Sequence, residues 1–389
     1  MNEIPDTLFA MPSDDHRKPS GRGTTGVLPY QTIRELALSG EIRADDTIQE
    51  DQFQPASLDL RLGDIAYRVR TSFLSGPHTS VRQRLNDLST HRFGLSNGAV
   101  LEKGCVYVVP LQESLKLGPR DEAVANPKSS TGRLDIFTRL ITDFGTTFDV
   151  IDRGYAGPLY AEIAPRTFSV LVRTGSRLNQ LRLRRGSPAF GEVTLKRLHE
   201  RAPLVVGEPG AEPIIRGDSI GVTLDLKGAA AAGLVGFRAK KHTDVIDVDA
   251  IAQYDPKEFW EPLHADAHRG LILDPNEFYI LATRETVAVP PDHAAEMIAY
   301  DTLVGEFRVH YAGFFDPGFG YDRKTGASKA VLEVRSHEVP FMLEHGQLIG
   351  FLRYEPLMAV PDKLYSPGIG SSYQGQALAL SRHFKPYAE

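Results

Sequence analysis

The chain has 389 residues, of which 41% are apolar and 24% charged, and it carries a formal net charge of −6. That composition describes a soluble globular protein with room for two ordinary domains or one large one. No concentrated basic patch marks a dedicated nucleic-acid surface. A single cysteine, Cys105, leaves no disulfide framework and no Cys-rich zinc site within one chain, and no apolar run of ~18 residues marks a membrane span.

Residues 1–25 carry Asp14-Asp15-His16-Arg17-Lys18 with Gly and Pro nearby. They read as a polar, flexible lead-in and not as a signal peptide, so the cytoplasm is the default compartment. A first domain is expected over residues 26–203. Pro29 to Leu38 reads as a short helix with Ile33, Leu36 and Ala37 on one face. Gln54 to Gly63 alternates apolar and polar and ends at glycine, a strand signal. Residues 71–100, rich in Ser, Thr, Gly and His, read as loop. Val106 to Leu111 and Leu115 to Pro119 are further short strands, and Phe168 to Gly175 and Leu178 to Leu183 close the unit. Many short strands punctuated by Gly and Pro make the fold class all-β, a sandwich or barrel with a few short helices.

Within this domain, Pro127-Lys128-Ser129-Ser130-Thr131-Gly132-Arg133 brings two hydroxyls and a guanidinium into one short segment. Hydroxyls donate to phosphate oxygens, and a guanidinium can grip a phosphate through two parallel hydrogen bonds. In isolation Ser-Ser-x-x-Arg is a common helix start. It is followed, however, by Asp152-Arg153-Gly154-Tyr155-Ala156-Gly157, which reads as a tight hairpin because glycine takes the positive φ such a turn needs. Glu162 then falls on a strand. With both faces covered, burial would raise its pKa and suit it to proton transfer. A phosphate grip, a hairpin and a poised carboxylate together suggest a nucleotide site.

Gly207 to Pro213 marks a linker, placed at residues 204–218, and a second domain over 219–389 repeats the pattern of the first. Thr223 to Gly228 echoes Ser57 to Gly63 (223 − 57 = 166), Phe315 to Gly320 echoes Ile151 to Gly157 (316 − 152 = 164), and Val331-Leu332-Glu333 echoes Tyr160-Ala161-Glu162 (333 − 162 = 171). The wider Asp-to-Glu interval places a longer hairpin at Tyr321 to Lys329. The grip is not repeated: Ser129, Ser130 and Arg133 fall against Asp301, Thr302 and Gly305, and a carboxylate there would repel phosphate. Residues 231–270, which hold the sole tryptophan, Trp260, read as extra helix or loop packing.

The combined segment resembles the dCTP deaminase branch of the trimeric dUTPase superfamily. There a Ser-Ser-x-x-Arg motif precedes an Ile-Asp-Pro-Gly-aromatic-x-Gly hairpin, and a catalytic Glu follows ten residues after the Asp. Asp152 and Glu162 keep that interval, with Arg153 where Pro is usual. Pro55-Ala56-Ser57-x-Asp59-x-Arg61-Leu62-Gly63 resembles the family's opening strand. Tyr365 and Gln376 resemble its closing tail, with Ser372 where a phosphate-contacting Lys is usual and Arg382 or Lys385 as nearby cations. The resemblance implies two tandem dUTPase-like domains that convert dCTP to dUTP and ammonia in dTTP-precursor metabolism. It implies phosphate contacts from Lys128, Ser129, Ser130, Arg133 and Gln376, and base or sugar contacts from Asp152, Asp316 and Tyr365. The catalytic carboxylate is Glu162 or Glu333, with Glu162 slightly favoured because its own copy keeps the grip. It also implies a homo-oligomer with sites between neighbouring subunits, and dTTP as an inhibitor.

A zinc-bound water is the usual device of nucleobase deaminases, but it needs a His-x-Glu and a Pro-Cys-x-x-Cys, and this chain has neither. The expectation is a metal-free, carboxylate-driven hydrolysis, with Mg²⁺ only as the companion of the triphosphate and no zinc. Three alternatives stay open. One is a dUTPase, or a bifunctional enzyme taking dCTP to dUMP, although the tail lacks the Arg-Gly-x-x-Gly-Phe-Gly segment of dUTPases. The others are a non-catalytic nucleotide sensor and a β-sandwich with no ligand.

Overall fold

The computed structural model describes residues 24–187, 190–228, 233–265, 270–298, 313–321, 328–336, 338–366 and 373–388, with the backbone alone for 307–310. Asp301, Thr302, Gly305, Ser371, Ser372, most of the lead-in and the middle of the longer second hairpin lie outside the described residues.

Two sheets of one topology confirm the duplication. In the first, strands run in the order Ser89–Gly94, Ile65–Val69, Val106–Lys116, Ala156–Pro165, Ile136–Thr142, with Ile42–Ala44 also on Val106–Lys116. In the second the order is Trp260–His264, Leu234–Ala239, Phe278–Val287, Ser328–Ser336, Phe307–His310, with Val205–Val206 also on Phe278–Val287. The registers coincide at the two carboxylates. Glu162 pairs with Val108 on one side and Arg139 on the other, and Glu333 with Ile280 and His310. A further sheet faces each of these. One contains Asn179–Arg185 and Asp121–Pro127, the other Leu348–Pro356, His293–Ile298 and Phe314–Phe315. Along Asp121–Pro127 alternate residues are buried, as a half-covered strand requires.

Two large apolar cores and two smaller clusters follow among the described residues, and the halves share the first of the large ones. The first core takes Phe237, Trp260, Phe278 and Phe384 from the second half of the chain. The second includes Leu195 and Leu198, from the helix Glu192–Arg201. That helix was expected with the first domain, but its apolar face packs into the second core.

Residues 71–100 are not simply loop. They contain the helix Val81–Leu88 and the strands Ser89–Gly94 and Ala99–Leu101. The helix is polar on most of its surface and buries only Val81 and Leu85. Its start is fixed by a capping box, in which Ser80 Oγ accepts from Gln83 N–H at 3.2 Å and Gln83 Oε1 accepts from Ser80 N–H at 2.8 Å. Residues 231–270 likewise differ from the expected helix or loop. They supply the strands Leu234–Ala239, Ile246–Asp247 and Trp260–His264, with one helical turn at Pro256–Phe259. Ile246–Asp247 pairs in parallel with Val170–Val172 of the first half, and Trp260, 1% exposed, packs edge-on against Phe168 and Phe384. The segment therefore fastens the two halves together.

Candidate active site

The phosphate-grip segment sits where the strand Asp121–Pro127 ends. Lys128 is extended, and the single helical turn Ser129–Gly132 follows, closed by the Thr131 and Gly132 N–H groups on the Lys128 carbonyl. This turn brings Ser130 and Arg133 below the surface, where they line a cavity of about 530 Å³. Lys128, Ser129, Ser130 and Arg133 form its first-copy wall. Asp316 and Glu333 come from the second copy, and Tyr365 and Gln376 from the tail. Lys128 forms an ion pair with Asp59.

Glu333 lies on the strand Ser328–Ser336 and is 6% exposed. Its Oε1 is 3.8 Å from Nε of Arg133, an atom that is buried and has no hydrogen-bond partner. Burial pushes the Glu333 carboxyl up to about 8, against the opposing pull of the Arg133 charge. Arg133 spends its other nitrogens on the tail. Nη2 donates to Gln376 Oε1 at 3.0 Å and Nη1 to the Ala379 carbonyl at 3.1 Å, and the Tyr373 ring lies 3.9 Å from the guanidinium. Gln376 in turn donates to the Lys329 carbonyl at 3.1 Å.

Asp316 opens the second-copy hairpin. Burial raises its pKa, and Arg182, at 3.2 Å, opposes the rise. Gly318, at φ +98°, lets the tail come close: a Cβ there would lie 3.1 Å from both the Leu364 Cβ and the Tyr365 nitrogen. Tyr365 N–H donates to the Pro317 carbonyl at 2.7 Å, and its ring packs on Phe319 at 5.6 Å.

Two of the sequence-predicted residues are elsewhere. Glu162 is buried but does not line the cavity. Its Oε1 accepts from Arg139 Nε at 3.2 Å and from the Ser72 hydroxyl at 3.1 Å. The Arg139 guanidinium lies 3.5 Å from the Phe148 ring. Asp152 is exposed at its hairpin and also lies off the cavity wall. The sequence preference for Glu162 thus meets a geometry in which the second-copy carboxylate faces the first-copy cradle.

Sequence reasoning missed Arg182, which is fully buried. It donates to the Ala295 carbonyl at 2.9 Å and lies 4.0 Å from the Phe314 ring, so it joins the first-copy sheet to the second-copy hairpin. Leu181-Arg182-Leu183 reads as ordinary in-out alternation, and no local signal shows that its outer face is covered. Arg177 was missed too. It lines the cavity and pairs with Asp51 at 2.9 Å.

Comparison with known proteins supplies independent findings. Residues 24–187 match the family model of the 2'-deoxycytidine 5'-triphosphate deaminase N-terminal domain, and residues 191–384 match that of the C-terminal domain. A protein of Beutenbergia cavernae named "dCTP deaminase, dUMP-forming" is 33% identical over 150 residues, 36% of this chain and 74% of that protein. One of Mycobacterium avium with the same name is 29% identical over 184 residues, 45% of this chain and 87% of that protein. The crystal structure of 2'-deoxycytidine 5'-triphosphate deaminase from Agrobacterium tumefaciens is 56% identical, with a TM-score of 0.81, and the match covers 86% of this chain and 99% of that one.

Proposed function

The chain belongs to the 2'-deoxycytidine 5'-triphosphate deaminase family, and we propose that its cavity hydrolyses dCTP to dUTP and ammonia, with Glu333 as the proton-transfer group. One observation carries this reading: a dry carboxylate from one copy borders the Ser/Arg cradle of the other.

The chemistry follows from that placement. Ionised Glu333 takes a proton from water as the oxygen bonds to C4 of cytosine. The electrons of the C4–N3 double bond move to N3, and Glu333 passes the proton it took from water to that nitrogen. Glu333 then takes the proton of the new C4 hydroxyl and delivers it to the exocyclic amine, so that the C4–N4 bond breaks, the carbonyl forms and ammonia leaves. Acid–base catalysis of this kind supplies ~10²–10⁴-fold, so the remainder must come from positioning. The Ser129 and Ser130 hydroxyls donate to the phosphates. Arg133 and Gln376 draw the tail across the site. Asp316 and Tyr365, at the second-copy hairpin, bound the space for sugar and base.

Among the described residues, every carboxylate that lines the cavity has a partner, Glu333 being opposed by Arg133. Asp51 is paired with Arg177, Asp59 with Lys128, Asp316 with Arg182, and Asp249 with the Ser176 hydroxyl at 2.6 Å. Mg²⁺ would therefore be held by the triphosphate and by water.

The names of the two curated relatives support a second reading, in which the same site also releases pyrophosphate and yields dUMP. The test is incubation with dCTP, with CTP and dUTP alongside, and separate assays of ammonia and pyrophosphate. Ammonia without pyrophosphate supports the first reading, and both together support the second. Pyrophosphate from dUTP with no ammonia from dCTP contradicts deamination.

A further inference from the structure

Among the described residues, four cations line the cavity, and three of them are committed. Lys128 is paired with Asp59 and Arg177 with Asp51. Arg133 is bound to Gln376 and to the carbonyls of Ala379 and Leu380, with Glu333 alongside. The fourth, Arg382, has no side-chain partner among the described residues, and its Nε is buried without a hydrogen bond.

Arg382 is nevertheless firmly placed. Its N–H donates to the Tyr373 hydroxyl at 3.2 Å, and its carbonyl accepts from Ala252 N–H at 2.9 Å. On one side of it the Ser381 hydroxyl reaches the Ser130 carbonyl at 2.8 Å. On the other, His383 Nε2 meets the Val248 carbonyl at 2.8 Å. A guanidinium held in a partly dry cavity, with no ion-pair partner among the described residues, costs stability unless an anion completes it. Arginine matches phosphate oxygens with paired donors.

We propose that Arg382 is a polyphosphate-binding residue of this cavity, and that Arg133 acts chiefly to hold the tail and to neighbour Glu333. This rests on the nucleotide reading above and adds the residue that discriminates a triphosphate from shorter phosphates.

The test compares wild type, Arg382→Gln and Arg382→Lys on dCTP, dCDP and dCMP, following ammonia. Arg382→Gln is expected to raise KM for dCTP ~10- to 100-fold, the worth of one charge-assisted contact, with kcat within ~3-fold. The penalty should shrink as phosphates are removed, and Arg382→Lys should restore part of the dCTP affinity. Without nucleotide, the melting temperature of Arg382→Gln should not fall, because an unpaired charge has been removed. Inorganic tripolyphosphate should raise the melting temperature of wild type more than that of the variant. An equal penalty on dCTP and dCMP, an unchanged KM, or a ligand-free loss of folding in Arg382→Gln that Arg382→Lys repairs would each overturn the proposal and make Arg382 a tail strut. Failure of the deaminase reading is distinct: wild type itself would release no ammonia from dCTP.

Discussion

Arg133 Nε and Glu333 Oε1 lie 3.8 Å apart in space and 200 residues apart in sequence. The arginine belongs to the copy that kept the phosphate grip, and the carboxylate to the copy whose aligned residues do not repeat it. Under the proposed function, both halves of one site therefore come from a single chain. Chains carrying Arg133→Gln and chains carrying Glu333→Gln, co-expressed and isolated together through two tags, should show no recovery of ammonia release. Recovery would mean that the grip and the carboxylate of one working site come from different chains.

The burial of Glu333 makes stability depend on pH in a definite direction. The folded chain keeps that proton up to about pH 8, whereas a carboxyl of this type ordinarily loses it near 4.5. Folding is therefore favoured fully below about 4.5, and the advantage is lost as pH rises through about 8. Glu333→Gln has no such slope. Its melting temperature should match wild type near pH 5 and exceed it at pH 8.5, equivalent to ~2–4 kcal/mol. In the active protein, kcat/KM for dCTP should rise with pH toward a plateau above about 8, because the ionised form takes the first proton.

Arg133 ties down the tail through Gln376, the Ala379 carbonyl and the Tyr373 ring. Arg133→Gln removes the charge and most of these contacts. Limited trypsin digestion should then cut after Arg382 at least ~10-fold faster than in wild type, because the segment opens more often. An unchanged cleavage rate would mean that the tail is held by its Ser381 and His383 contacts alone.

Trp260 reports on the seam between the halves. It lies among Phe168, Phe278 and Phe384, contributed by three separate parts of the chain. Trp260→Ala should cost ~3–5 kcal/mol, read as a lower denaturant midpoint. In wild type, fluorescence of this sole tryptophan should follow unfolding of the first core. A loss below ~1 kcal/mol would mean that the segment only rests on that core.

The all-β fold and the duplication were legible because strand periodicity, turn glycines and the spacing of the echoes are local or nearly so. Ser80 and Gln83 carried a capping signal in plain view. The helix they start was still hidden, because it shows the core only Val81 and Leu85. The choice between Glu162 and Glu333 was not legible. Both occupy the same register in the same kind of strand; Glu162 meets Arg139 through strand pairing inside its own sheet, and only the packing across the seam sets Glu333 beside Arg133. Arg182 was hidden for the same reason, since its burial is created by residues more than a hundred positions away.

Ammonia release from dCTP by wild type, Glu333→Gln and Glu162→Gln tests the central assignment most directly. Glu333→Gln should lose ~10²–10⁴-fold in kcat. Glu162→Gln should keep kcat within ~3-fold and lose ~1–3 kcal/mol of stability, through the weakened Arg139 pair. The reverse pattern, with Glu162→Gln inactive and Glu333→Gln fully active, would contradict it.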